Sequence, residues 1–299
     1  MFRVVSDGLL HSSSPRMNLT DRIYFAVHVV LTVLVCTQYE VLTRWPWYVT
    51  WNTLAIAAIL IVASKRNDGT AWEFAHDWLP AVFFITVFEE VSFLSLSLWG
   101  AWQNPILTAW ESALFAVPPG EWLRQYSPLW FRELLEFGYL SFYPIYPVVG
   151  GALWAWRRRP PFCGAFRRLT DALSVGYVIC YLVYLLFPTR SPSHNAGIET
   201  GAIDSSGGLF HSLVRTVQGR AGVHGNAFPS AHIMLACVVL VFAWRYLPRA
   251  APVILICTLL MCVGAVYDGY HYALDVVAGA GVGLLAGGVF IARTPPRNS

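Results

Sequence analysis

The chain has 299 residues, of which 56% are Ala, Val, Ile, Leu, Met, Phe, Trp, Tyr or Cys and only 12% are Asp, Glu, Lys or Arg, with a net charge of +3. Soluble domains are about 25% charged, so this chain cannot coat a water-facing surface and a lipid bilayer must be its main partner. The small net charge carries no signal for nucleic acid, and none is expected as a partner.

The 13 Trp and 14 Tyr fit the aromatic belts of bilayer interfaces. Six cysteines are present, five of them in apolar runs and none in a CxxC pair. They read as small apolar residues, not as a zinc site or a disulfide framework. No acidic cluster suits a metal ion, and no cofactor is expected.

A spanning helix needs about 20 mostly apolar residues. The chain opens on a polar stretch, and its first apolar run is long enough to span, so no cleaved signal peptide is expected. Eight spans are expected, near 22–43, 45–63, 77–99, 131–156, 169–187, 229–247, 251–268 and 271–292. The fold class is all-α: a polytopic membrane helix bundle with six core spans and two N-terminal additions. Residues 1–70 form the tail and those two additions, and 71–299 the catalytic membrane domain. His28 in the first span and His76 before the third read as interfacial. Glu89 and Glu90, inside the third, are either polar lining for a head group or the point where the helix ends or bends; we favour the second. Between the third and fourth spans, Ile106 to Ala116 is too short to cross and is expected along the interface, before Pro118-Pro119. The 188–228 stretch is a long loop rich in Gly, Ser, His and Arg, and loops of that length are usually functional or disordered.

With both termini inside, Arg3, Arg16, Arg22, Lys65, Arg66, Arg157, Arg158, Arg159, Arg167, Arg168, Arg245, Arg249, Arg293 and Arg297 are all cytoplasmic, 14 of the 20 Lys and Arg. That orientation puts the 188–228 loop, the start of the sixth span and the 268–271 turn together on the outer face.

Three segments that can carry chemistry meet there. Phe187-Pro188-Thr189-Arg190-Ser191-Pro192 ends the fifth span. His224-Gly225-Asn226-Ala227-Phe228-Pro229-Ser230-Ala231-His232 opens the sixth. His271-Tyr272-Ala273-Leu274-Asp275 opens the eighth. His271 and Asp275, four apart, share a helical face. The carboxylate can fix the imidazole tautomer and present the other ring nitrogen as a nucleophile or base. Alternatively the pair merely caps and anchors the last helix. Pro229 suits a first helical turn, so the N–H groups of Ser230, Ala231 and His232 are expected to face outward at a positive helix end, a ready anion site. The bland alternative is an N-cap Ser with an interfacial His. Arg190 either forks onto phosphate or snorkels to anchor the fifth span. His224 and Asn226 either contact an acceptor or simply reflect loop polarity. Together these parts suit phosphoryl transfer, which needs positioning and charge neutralisation above all. Helix-end amides and Arg190 hold the phosphoryl oxygens, His271 attacks phosphorus, and His232 protonates the departing oxygen. Water or an alcohol then accepts the group. The run of Gly279, Gly281, Gly283, Gly287 and Gly288 permits tight helix packing.

The order FPTRSP, FPSAH, YDGYHYALDVVAG resembles the type 2 phosphatidic acid phosphatase superfamily, which includes the vanadium haloperoxidases. The resemblance covers about residues 105–290. It implies a nucleophilic His271 oriented by Asp275, with His232 as general acid, and a phosphorylated lipid as substrate. Ala265 stands where that superfamily usually carries Arg, six residues before the motif's His, and the first motif's Lys is absent. Loss of both resembles the inositol phosphorylceramide synthase branch and its bacterial relatives, as does Tyr139-Leu140-Ser141-Phe142-Tyr143-Pro144 before a Gly-rich span. In that branch Arg often follows the second Pro of the first loop; here Ser193 and His194 do, so Arg215, Arg220 or His194 are alternatives to Arg190 as phosphate clamp. The expected activity is a lipid phosphate phosphatase or phosphotransferase, in a multi-pass plasma-membrane protein with its site on the extracytoplasmic face. Head-group transfer of inositol phosphate to a lipid alcohol, and a non-catalytic lipid-binding protein, are the rivals. A transporter would show repeated halves, and no internal repeat is present.

Overall fold

The structure, a computed structural model, describes residues 17–126, 128–195, 208–221 and 225–293. It is all-helical among those residues. The elements are α1 (Leu19–Thr37), α2 (Trp45–Lys65), α3 (Thr70–Trp99), α4 (Asn104–Leu114), α5 (Pro119–Arg124), α6 (Leu129–Leu140) and α7 (Phe142–Ala155). They continue with α8 (Ala165–Leu186), α9 (Pro192–Asn195), α10 (Leu209–Ala221), α11 (Ala231–Tyr246), α12 (Ala251–Tyr267) and α13 (Ala273–Ala292).

Local chemistry sets most helix ends. Asn18 and Asp21 form a reciprocal capping box on α1. Gly100, in the left-handed region at φ 66°, closes α3. Ser230 caps α11, its side-chain oxygen accepting from the Ile233 N–H at 3.4 Å.

Five of these helices, α1, α2, α3, α8 and α13, are long and apolar enough to cross a membrane, so the chain is an integral membrane protein. At 16 and 17 residues, α11 and α12 are shorter apolar helices. The span expected at 131–156 is two helices meeting at Ser141. Pro144 has no N–H to offer the Leu140 carbonyl, and the Ser141 hydroxyl donates instead to the Gly138 carbonyl at 2.6 Å. A polar and proline-broken junction of this kind kinks a helix at the point it occurs.

The third helix does not end near Glu89 and Glu90; it runs on to Trp99, with Glu90 buried. His28 and His76, expected at the interface, are buried inside the protein: His28 bonds Asn52 at 2.6 Å, and His76 bonds Asp21 at 3.0 Å and Asp77 at 3.1 Å. The long loop carries a helix, α10, laid against α6.

The core lies where α8 and α11 pack between α3, α7 and α13. On α11 almost every side chain from Ala231 to Val239 is buried. In lipid, helices gain little from apolar burial as such and associate through close backbone approach. The α11–α13 seam works in this way. A Cβ on Gly279 would collide with the Ser230 carbonyl, and one on Gly283 with the Met234 carbonyl, whereas Gly281 and Gly288 have open space. The Ser230 N–H donates to the Asp275 carbonyl at 3.0 Å, stitching the first turns of the two helices together.

Candidate active site

The α11–α13 seam brings two of the sequence-derived residues face to face. The rings of His232, in the first turn of α11, and His271, just before α13, have centroids 5.8 Å apart. One ring comes from α11 and the other from the turn that leads into α13, so distant parts of the chain bring them together.

His271 is 6% exposed, and its backbone N–H and both ring nitrogens have partners. Its backbone N–H donates to the Ala265 carbonyl at 2.9 Å. Its Nδ1 lies 3.1 Å from the Ala227 carbonyl and 3.2 Å from Asp275 Oδ2. Both neighbours are acceptors, so Nδ1 carries the hydrogen. Nε2 then keeps its lone pair, and the Ser230 hydroxyl, 3.1 Å away, donates to it. Burial holds the His271 imidazole well below its ordinary range, at about 4, the hydrogen bond to Ala227 opposing that shift. The ring is therefore neutral at pH 7, which is the state a nucleophile needs. Asp275 is fully buried, and its Oδ2 also accepts the Tyr272 N–H at 2.8 Å.

His232 sits in an aromatic wall: Phe142 meets it edge-on at 4.4 Å between centroids and Tyr139 lies at 5.7 Å. The Tyr139 to Pro144 stretch thus stands beside the second imidazole. No hydrogen bond is made by the His232 ring among the described residues.

The anion-site expectation needs one correction. The Ser230 amide is not free, because it is spent on Asp275, and the Ser230 hydroxyl serves His271 and Ile233. Ala231 and His232 contribute the first-turn amides of α11. Arg190 is on the same side: its guanidinium stacks over Trp102 at 4.7 Å, and its Nε is buried without a partner among the described residues. Arg215 lies on α10. Arg3, Arg16, His224 and Arg297, and the side chains of His194 and Arg220, lie outside the described residues.

Asn226 adopts φ 63° and donates through Nδ2 to the Phe88 carbonyl at 2.8 Å, turning the chain so that Ala227 reaches His271. Sequence reasoning missed the buttress behind the pocket. Asn104 donates to the Arg190 carbonyl at 2.9 Å, accepts the Arg190 N–H at 2.8 Å and reaches the Tyr272 hydroxyl at 3.2 Å. Glu111 Oε1 accepts the Ala273 N–H, in the first turn of α13, at 2.7 Å. The signal was present in α4: Asn104 and Glu111 are seven apart on one face, opposite the exposed Ile106, Trp110 and Leu114. Also missed was a polar group under α10, where His211 Nδ1 meets Glu136 Oε1 at 2.8 Å and the Tyr270 hydroxyl donates to the same oxygen at 3.0 Å.

The chain is thus a helical integral membrane protein in which a hydrogen-bonded imidazole lies beside a second one. Comparison with known families gives that class a name. The family model described as the PAP2 superfamily matches residues 106–289. The match covers more than half of the chain, and the protein belongs to that superfamily, whose members are phosphatases and phosphotransferases. No curated protein and no solved structure matches the chain.

Proposed function

We propose that this protein is a lipid phosphate phosphatase or phosphotransferase working through a phosphohistidine at His271. The observation that carries the reading is the His232–His271 pair, 5.8 Å apart, with the His271 Nδ1 hydrogen held between Ala227 and Asp275. Nε2 of His271 attacks phosphorus as the Ser230 hydroxyl gives way. The bond from phosphorus to the lipid oxygen breaks, its electron pair goes to that oxygen, and His232 delivers there the proton it takes from the acidic phosphate monoester on binding. Water or an alcohol then attacks the phosphohistidine, His232 takes its proton, and the P–N electron pair returns to Nε2. Asp275 holds the ring and stabilises its positive charge while the P–N bond exists. Arg190 and the first-turn amides of Ala231 and His232 hold the phosphoryl oxygens, and the Ser230 hydroxyl adds a donor once released from Nε2.

The catalytic unit is residues 71–299, and 1–70 is an addition whose helices α1 and α2 pack on α3 and α8. With both termini cytoplasmic, the pocket opens at the extracytoplasmic face of the plasma membrane. Ala265 and the Tyr139–Pro144 stretch favour the inositol phosphorylceramide synthase-like branch, in which a lipid alcohol is the acceptor. A thin-layer assay of the purified protein tests this. It offers labelled phosphatidate, isoprenyl diphosphate and phosphatidylinositol, with and without ceramide or diacylglycerol. The expected result is labelled free phosphate or a new phosphorylated lipid, absent in His271→Ala. Product formation by His271→Ala at the wild-type rate contradicts the reading.

A further inference from the structure

A second site lies on the far side of α3 from the histidines. Between α2 and α3 is a cavity of about 170 Å³ lined by Arg44, Trp47, Tyr48, Trp51, Glu89 and Glu90. It is independent of the phosphoryl pocket and involves helices largely outside the family match. Its floor is polar in a place where polarity is costly. Glu90 is 1% exposed; its Oε1 accepts from Asn52 Nδ2 at 2.7 Å, and its Oε2 is buried with no partner among the described residues. The Trp51 Nε1–H is likewise buried and unpaired. A buried carboxylate oxygen and a buried indole donor without partners are each destabilising, and both residues line the same cavity. At its rim stand the exposed Arg44 and Glu89, and below Glu89 on the same face of α3 are the exposed apolar Val82 and Ile85. The cavity therefore meets the lipid-facing surface.

The donor set defines the ligand. An orphan carboxylate oxygen backed by a second carboxylate calls for a cation that donates hydrogen bonds. Trp47, Tyr48 and Trp51 add aromatic rings to the lining, a residue type that attracts such a cation. The indole N–H and the Arg44 guanidinium call for an anionic oxygen a short distance away. A cation and an anion on one small molecule, at a lipid-facing opening, describe a zwitterionic phospholipid head group. We propose that this cavity binds the head group of phosphatidylethanolamine, its primary ammonium on Glu90 and Glu89 and its phosphodiester on Arg44 and Trp51. A quaternary ammonium has no N–H to give Glu90 Oε2, so phosphatidylcholine is the weaker ligand. Phosphatidylglycerol lacks the cation altogether.

The test uses the delipidated full-length protein in detergent, titrated with short-chain phosphatidylethanolamine, phosphatidylcholine and phosphatidylglycerol and read by tryptophan fluorescence and native mass spectrometry. Phosphatidylethanolamine is expected to bind saturably and at least tenfold more tightly than the other two. Arg44→Gln, on the exposed rim where folding is not at risk, and Glu90→Gln are each expected to weaken it about tenfold, while His271→Ala leaves it unchanged. Equal affinity for the three lipids overturns the proposal. So does unchanged affinity in Arg44→Gln and in folded Glu90→Gln, or loss of binding in His271→Ala, which would place the lipid in the phosphoryl pocket.

Discussion

His232 and His271 divide the chemistry, and single substitutions separate their roles. His232→Ala is expected to lower kcat about 10²- to 10⁴-fold on lipid phosphates, the range for loss of a general acid. With a nitrophenyl phosphate, whose leaving group departs without a proton, the loss should shrink to tenfold or less. An equal loss on both substrates would show that His232 does something other than protonate the leaving oxygen. The His271 environment makes a second prediction, for stability. Its folded pKa of about 4 lies below the ordinary value of 6.5. Between those values the unfolded chain binds a proton that the folded protein refuses, so this group's contribution is present above pH 6.5 and lost as pH falls toward 4. The slope approaches about 1.4 kcal/mol per pH unit. Thermal melts in detergent from pH 7 to pH 5 should therefore show wild type losing stability relative to His271→Gln, and parallel curves would contradict the assignment. His271 and Asp275 were legible as a pair because four residues is a helical repeat. The bond from Ser230 to Nε2 was not, since sequence spacing places a hydroxyl at a helix end but does not say which neighbour it meets.

At the level of elements, the pocket depends on how closely α11 and α13 approach. Gly279→Ala pushes a methyl group into the Ser230 carbonyl, next to the caps of both helices. Overpacking of this kind costs about 1–3 kcal/mol, so Gly279→Ala should lower the melting temperature and the activity together. Gly281→Ala, with nothing within 4 Å, should change neither. The glycine run announced tight packing, but only the three-dimensional face separates the residues that touch α11 from those that face lipid. The same limit explains α4. Its apolar stripe indicated a helix on the interface, yet the opposite face, where Asn104 clamps Arg190 and Glu111 takes the Ala273 N–H, becomes meaningful only when the loop it grips is in place. Glu111→Gln should reduce kcat more than it changes the melting temperature, because its partner is the first turn of α13 rather than the bundle core. A fall in melting temperature at constant kcat would assign Glu111 a purely structural role. Helix breaks were harder to read: 131–156 is long enough for one span despite Arg132, Glu133 and Glu136, and the polar, proline-broken junction at Ser141 and Pro144 divides it.

For the molecule as a whole, composition and apolar run lengths were enough to place the chain in a membrane as a helical bundle, because a residue set with 12% charge has no soluble alternative. The buried polar contacts among α1, α2 and α3 were not legible, because His28, Asn52 and Glu90 lie far apart in sequence and meet only through packing. Orientation remains a proposal from the arginine distribution, and it is measurable. In single-cysteine variants of a cysteine-free background, Ser212→Cys on α10 should react with a membrane-impermeant maleimide in intact cells, while Cys163 should react only after permeabilisation. The reverse pattern would put the pocket on the cytoplasmic face. The most direct test of the central claim is rapid-quench trapping with ³²P-phosphatidate. The account predicts an acid-labile, base-stable label on the peptide carrying His271, formed at least as fast as turnover and absent in His271→Ala. Turnover without such a label, or a label on any other residue, would contradict it.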